Sequence, residues 1–382
     1  MRCQIEKPPA LMSKHLFKRI EKALISLQRQ GIQGHALKRF KTLTAMVKGM
    51  IDKQSCHLNA LGSGIENDIN DSSREAAAKR FVENKYTDYK LHYLPYLRQL
   101  LITLLSNASL ERGISLAIDG SQMGTGHVAL MLSVVYKKRS IPLFWVIKKG
   151  KKGHFPTEMH IELVEKAAAI LKPLMPPNMP VTLLGDGEFG SVDLQKLCRK
   201  ELNWQYVFRI ANDTVLHEND DFFQPKSLEI PKGETFIFIP SVDFEKEKYP
   251  DVHLLNWHDK AVYDDPLFLI SAYDDPFDII FYYKQRFAIE TLFKDLKSRG
   301  FNLHKNRLTK PFALFNLILI AALGYCLIFV FGHNNVNNKF KAKVLRMHKI
   351  DKPEISIFSY SFKLLKYLLK YNKYFSFNWA LQ

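Results

Sequence analysis

The chain has 382 residues, 47% of them hydrophobic, and a formal net charge of +17. That length admits one large domain or two to three smaller ones with a sizeable core, and the excess of basic residues points to a polyanionic partner. The four cysteines, Cys3, Cys56, Cys198 and Cys326, are scattered without a C-x-x-C pair, which argues against a disulfide framework or a zinc site and for a reducing compartment.

The charge is unevenly distributed. Residues 1–110 hold 18 Lys and Arg against 9 Asp and Glu, residues 111–280 hold 19 against 25, and residues 281–382 hold 18 against 4. Two basic ends around an acidic middle suit a nucleic acid gripped by both ends. The N-terminus lacks the continuous apolar stretch of a signal peptide.

Residues 13–105 read as mostly helical. Ser13 caps a predicted helix carrying Leu16, Ile20, Leu24 and Leu27, and apolar-periodic runs follow at 36–51 and 91–105. The polar stretch from Gly62 to Arg80 reads as a linker leading into another helix start. Basic residues such as Lys38, Arg39, Lys41 and Lys48 make a DNA-binding role plausible, although no sharp helix-turn-helix signal is present.

Near residue 114 the texture changes. ISLAIDGS (114–121), HVALMLSVVY (127–136) and IPLFWVIKKG (141–150) read as strands, with KKRS as a hairpin turn. Thr157, after Pro156, caps a predicted helix running to about Leu171. A proline-rich break follows, then a strand in VTLLGDGEFG (181–190), a helix at about 191–201 and a strand in WQYVFRI (204–210). Three strands, helix, strand, helix, strand is the succession of a ribonuclease H-like α/β domain. Asp119 and Asp186 fall at strand ends, where side chains converge at a sheet edge.

Residues 211–280, with 16 acidic residues against 5 basic, read as a mostly β insertion. FYYKQRFAIETLFKDLKSR (281–299) reads as one helix, being free of Gly and Pro, with Ile289, Leu292, Phe293 and Leu296 at helical spacing. On such a helix Tyr283, Arg286, Glu290 and Lys297 would share a stripe about 60° wide. Phe312–Phe331 is a stretch without charge, long enough for a membrane span, and is read instead as a buried core helix. The basic, aromatic stretch 335–382 reads as a helical tail. Lys363, Lys366, Lys370 and Lys373 interleave with Phe362, Tyr367, Tyr371 and Phe375, suiting either packing or contact with DNA or a subunit.

Asp119, Asp186 and Glu290 form a candidate triad. Phosphodiester displacement without a covalent intermediate calls for two divalent cations about 3.5–4 Å apart, and carboxylates suit such hard ions. The basic loop Lys148, Lys149, Lys151, Lys152 and His154 is a candidate DNA clamp or a solvated hairpin end.

At this point the sequence resembles bacterial insertion-sequence transposases of the DDE class, specifically the type-four family with its YREK signature of Tyr, two residues, Arg, three, Glu, six, Lys. Tyr283, Arg286, Glu290 and Lys297 stand at full spacing, with AIDGS around Asp119 and LLGDGEFGS around Asp186. The resemblance covers roughly residues 110–330 well and 1–110 loosely, and does not place 335–382.

The resemblance bears chiefly on the second of the three domains into which the sequence divides: a helical DNA-binding domain (1–110), a ribonuclease H-like catalytic domain (111–334) interrupted by the insertion (211–280), and a basic helical tail (335–382). It implies that Asp119, Asp186 and Glu290 bind two Mg²⁺ or Mn²⁺ for cut-and-paste transposition through a hairpin intermediate. Tyr283, Arg286 and Lys297 would contact phosphates near the cleaved end. Trp257, the only Trp of the insertion, would stabilise a distorted end if it is not simply a core residue. The implied partners are double-stranded transposon ends and target DNA, bound by a homodimer in the bacterial cytoplasm at the nucleoid, with no membrane. A nuclease that cuts without joining, and a non-catalytic DNA-binding inhibitor of transposition, are the rival readings.

Overall fold

The computed structural model describes residues 21–22, 25–26, 33–66, 68–107, 112–150, 155–218, 221–336, 339–347, 355–371 and 379. The expected Ser13 helix, Lys151, Lys152 and His154 of the basic loop, and Lys373 and Phe375 of the tail lie outside these residues. The chain divides into two compact units, one of residues 105–122 and 127–293, the other of 1–104, 123–126 and 294–382.

In the first unit the apolar runs become strands β1 (Ile114–Gln122), β2 (His127–Tyr136) and β3 (Arg139–Lys149), with β2 antiparallel to both neighbours. The turn between β2 and β3 is only Lys137–Lys138, at φ of 45° and 64°. Positive φ at both central residues matches the right-handed twist of a two-residue hairpin. Pro142 cannot donate to a ladder and sits at a register shift on β3, at the edge of the sheet.

Helix α6 (Thr157–Leu171) leads to β4 (Val181–Gly185), which is parallel to β1. Helix α7 (Val192–Lys196) runs into a π-helical turn (Leu197–Leu202) and leads to β5 (Gln205–Arg209), parallel to β4. β4 is buried along its whole length, as a strand covered on both faces must be.

The acidic segment is β-rich as expected, but it does not build a sheet of its own. β6 (Leu216–Glu218), β7 (Asp221–Phe223), β8 (Phe236–Phe244), β9 (Tyr249–Trp257) and β10 (Leu267–Ser271) continue the same sheet. β10 pairs antiparallel with β5, giving a ten-stranded order β3-β2-β1-β4-β5-β10-β9-β8-β6-β7. The fold is therefore mixed α/β with one large sheet and helices.

The expected continuous helix over 281–299 is instead two helices, α8 (Pro276–Tyr283) and α9 (Phe287–Leu296). Asp275 caps α8 by accepting from the Phe277 backbone N–H, with Pro276 at the first helical position. At the break, the N–H groups of Gln285 and Arg286 donate to the carbonyls of Tyr282 and Tyr283, tightening the chain into i to i+3 turns. The packing supplies the reason: Ile279, Tyr282 and Tyr283 bury among Leu184, Val207, Leu255, Trp257 and Leu269 of the sheet, which fixes the direction of α8.

The second unit is helical among the described residues. It contains α1 (Gly34–Lys53), α2 (Leu58–Gly62), α3 (Asp71–Val82), α4 (Tyr89–His92) and most of α5 (Leu94–Ser106). It also contains α10 (Pro311–Asn334), α11 (Lys341–Met347) and α12 (Ile357–Lys370). The charge-free run is the middle of α10, whose most apolar window is 94% buried. A helix apolar on all sides is a core helix when protein surrounds it, and α10 packs on α1, α3 and α12. Asn316, the one amide of the uncharged run, donates to the Val82 carbonyl at 2.8 Å and so satisfies the end of α3. The basic tail helix α12 buries Phe358, Phe362, Leu365 and Leu368, while Lys366 is exposed and donates to Gln54 Oε1 at 2.9 Å. Cys56, Cys198 and Cys326 are free and buried, and burial pushes all three thiols up.

Candidate active site

β1 is buried from Ile114 to Ile118 and emerges at Asp119. Asp186 directly follows β4 and opens a tight turn, its Oδ1 accepting the Glu188 N–H at 3.2 Å and its carbonyl accepting the Phe189 N–H at 3.1 Å. The parallel register pairs Ala117 with Leu184. Two residues on along each strand, Asp119 and Asp186 are neighbours at the same sheet edge.

Glu290 stands in the first turn of α9, one helical turn after Arg286. Arg286 Nη2 donates to Glu290 Oε1 at 2.6 Å, and Arg286 Nη1 lies 3.9 Å from Asp119 Oδ2. The guanidinium is 7% exposed and packs 4.7 Å from the Phe287 ring centroid and 5.8 Å from that of Tyr283. Asp119 of β1, Tyr283 of α8 and Glu290 of α9 are thus brought to Arg286 in the turn between the two helices, so the expected stripe of Tyr283, Arg286 and Glu290 is not carried by one continuous helix.

The electrostatics record this crowding. Burial, and then the charge of Asp186, push the Asp119 carboxyl up to about 7, against the downward pull of Arg286 and of a backbone hydrogen bond at Gly120. Burial disfavours the Arg286 charge, but Tyr283, Asp119, Glu290 and Asp186 together raise its pKa. Burial also raises the Tyr283 phenol.

Three carboxylates with mutually unfavourable charge are the right donor chemistry for divalent cations. As they stand, no three His, Cys, Asp or Glu side chains among the described residues form a group that could hold a metal ion. The cation present among them is Arg286.

The remaining predicted residues are placed differently. Tyr283 is 1% exposed, its ring inside the core cluster beneath the sheet. Trp257 is 3% exposed in the same cluster, edge-on to Tyr263 with ring centroids 5.4 Å apart, and the Lys284 ammonium lies 5.1 Å from its centroid. Lys297 lies in the turn just beyond α9 and belongs to the helical unit.

Sequence reasoning missed Arg209, Glu188 and His160. Arg209 ends β5, and the pairing of Gly185 with Phe208 sets it next to Asp186; its position as the first charge after an apolar strand was a usable signal. Arg209 and Asp186 open a cleft of about 1160 Å³ whose wall carries Lys226, Lys232 and Lys260 interleaved with Glu229, Glu234 and Asp265. Glu188 Oε1 lies 3.5 Å from Nε2 of the buried His160 on α6. No motif in the sequence links those two residues; the sheet brings them together.

The transposase DDE domain family matches residues 124–327, which include Asp186 and Glu290 and begin five residues after Asp119. Among solved structures, the chain is similar to Aquifex aeolicus Argonaute at 12% identity, over 47% of this chain and 24% of that one, with a TM-score of 0.24. It is similar to Marinitoga piezophila Argonaute in complex with guide RNA and target DNA at 10% identity, over 65% and 34%, with a TM-score of 0.25. It is also similar to Ciona intestinalis endonuclease V in complex with inosine-containing DNA at 14% identity, over 55% and 99%, with a TM-score of 0.28. The matched region thus spans a quarter to a third of the Argonaute chains, and at these TM-scores the three likenesses carry no argument about fold or function. No curated protein matches the chain. The family match spans more than half of the 382 residues, and the chain belongs to the transposase DDE domain family.

Proposed function

We propose that this transposase is a metal-dependent cut-and-paste enzyme of the type-four, YREK-bearing family, built on a ribonuclease H-like core. The observation that carries the reading is the convergence of Asp119, Asp186 and Glu290 around Arg286. The order β3-β2-β1-β4-β5, with β2 antiparallel and β1, β4 and β5 parallel, supports the ribonuclease H-like assignment. In this reading 111–334 is the catalytic region with 211–280 as its insertion, 1–110 binds DNA, and 335–382 is a basic tail.

Asp119, Asp186 and Glu290 would hold two divalent cations, Mg²⁺ or Mn²⁺. Bound there, such ions supply charge stabilisation to the attacking and leaving oxygens of a phosphodiester displacement. The protein's own groups do the rest. The strand ends of β1 and β4 hold two carboxylates on a rigid edge, and α9 brings the third. Arg286, Arg209 and Lys297 offer cations to the backbone of a transposon end, which positions DNA without reading its bases. The cleft from Asp186 past Arg209 to Lys232 opens into the insertion, with Glu229, Glu234 and Asp265 balancing its lysines, so DNA contact along it is confined to single cations such as Arg209. In this reading Trp257 and Tyr283 buttress the site from the core, and a base reaches Trp257 only if Lys284 and Tyr263 move. The enzyme acts in the bacterial cytoplasm at the nucleoid, as a homodimer on paired ends.

The test is a cleavage-and-joining assay with Mg²⁺ on DNA carrying the inverted repeats that flank the coding sequence, with Asp119→Ala in parallel. Joined products lost in the variant support the transposase reading. Cutting without joining favours a nuclease, and binding alone by both proteins favours an inhibitor of transposition.

A further inference from the structure

We propose that Arg286 is a resident cation that stands in for the metal, so that divalent-metal binding and DNA-end binding at this site are coupled through its release. The proposal rests on the triad reading above and adds its regulation.

The contacts of Arg286 are those of a group poised between two partners. It donates to Glu290 Oε1 through a single nitrogen at 2.6 Å, and approaches Asp119 Oδ2 only to 3.9 Å. Its buried Nε–H has no hydrogen-bond partner among the described residues. A guanidinium presents five N–H donors in a planar fork, and a buried structural Arg normally satisfies more of them. Aromatic faces at 4.7 and 5.8 Å hold the group in place, and the Tyr283 hydroxyl adds a side-chain hydrogen bond, which leaves Nε–H unused.

Charge balance then decides what binds. Three carboxylates repel one another; Arg286 is the cation set between Asp119 and Glu290, and Arg209 lies beside Asp186. Divalent ions at the same carboxylates would face Arg286 across a few ångströms of weakly screened space, so metal and guanidinium oppose each other there. A phosphodiester resolves the conflict, because phosphate oxygens accept the guanidinium fork in the bidentate geometry that Glu290 leaves unused. With Arg286 drawn to phosphate, Glu290 and Asp119 are free to face metal. The protein without DNA is thereby kept from assembling a cutting site, and DNA completes it. Linkage makes the effect reciprocal: metal must tighten end binding by the same factor.

The experiment titrates Mn²⁺ against the full chain and follows free Mn²⁺ by electron paramagnetic resonance. The titration is run with and without a duplex carrying the flanking inverted repeat, under conditions too brief for cleavage. Wild type is expected to bind Mn²⁺ about tenfold or more tightly with the duplex than without, within the usual range of coupling factors. Arg286→Gln is expected to bind Mn²⁺ more tightly than wild type in the absence of DNA, with a DNA-dependent gain below about twofold. Mn²⁺ affinity of wild type unchanged by the duplex overturns the coupling, and that comparison needs no variant to fold. Arg286→Gln that melts like wild type but binds Mn²⁺ no more tightly also overturns it. The triad reading fails separately: if Asp119→Asn and Glu290→Gln bind Mn²⁺ as wild type does in the presence of DNA, the metal lies elsewhere.

Discussion

Asp119 and Asp186 are neighbours because β1 and β4 are parallel and in register. Ala117 pairs with Leu184, and each strand delivers its carboxylate two residues later at the same sheet edge. Burial and the charge of Asp186 then raise the Asp119 carboxyl from 3.8 to about 7.

That relationship makes the metal-free protein sensitive to pH. The folded state binds the Asp119 proton more tightly than the unfolded chain does. This contribution to stability is fully present below about pH 4 and is lost as pH rises towards about 7. Asp119→Asn removes the titration. We expect it to stabilise the metal-free protein by up to about 4 kcal/mol at pH 8, with little effect at pH 4. Denaturant melts at the two pH values check this, and equal shifts at both would refute it.

Glu290→Ala is expected to abolish strand cleavage while retaining binding to transposon ends, because the role proposed for it is at the reacting phosphate and not in DNA affinity. Gel-shift and cleavage assays on one DNA fragment separate the two effects. Undiminished cleavage would remove Glu290 from the triad.

End binding is expected to weaken steeply as salt rises from about 50 to 200 mM, since contacts between basic residues and phosphates release counterions. The slope of log K against log salt gives the number of phosphates neutralised. A flat dependence would contradict the reading of the +17 charge as a polyanion-binding feature.

In the helical unit, Gly64→Ala is expected to cost about 1–3 kcal/mol, the range for overpacking against atoms that cannot move aside. A Cβ at Gly64 would lie 1.8 Å from the Ala45 carbonyl oxygen and 2.7 Å from the Gly49 backbone nitrogen. Thermal denaturation measures it, and a change below about 0.5 kcal/mol would show that α1 slides to make room.

Trp257→Ala is expected to destabilise the protein by about 3–5 kcal/mol, as for other buried aromatic truncations, whereas Trp257→Phe keeps most of the packing. If Trp257→Phe folds normally yet loses a hairpin product that wild type forms, the ring has a role at the DNA end beyond the core.

Much of the architecture is legible in the sequence. Alternating and continuous apolar runs marked β1 to β5 with α6 between β3 and β4, because strand and helix periods are local properties of the chain. Asp119, Asp186 and Glu290 could be nominated because they follow or punctuate those runs. The uncharged stretch at 312–331 was readable as a helix but not as to its surroundings. Its burial against α1, α3 and α12, with Asn316 satisfying the Val82 carbonyl, is a matter of packing.

What the sequence by itself determined is the succession of elements, the carboxylates at strand ends, and the i to i+4 spacing that lets Arg286 meet Glu290. What only the tertiary structure decided is long-range. The break between Tyr283 and Phe287 arises because Tyr282 and Tyr283 must bury against strands far away in sequence, a demand that no helical wheel contains. The extension of one sheet through β10, the neighbouring of Arg209 and Asp186, and the placing of Arg286 among three carboxylates follow likewise from strand pairing and close packing.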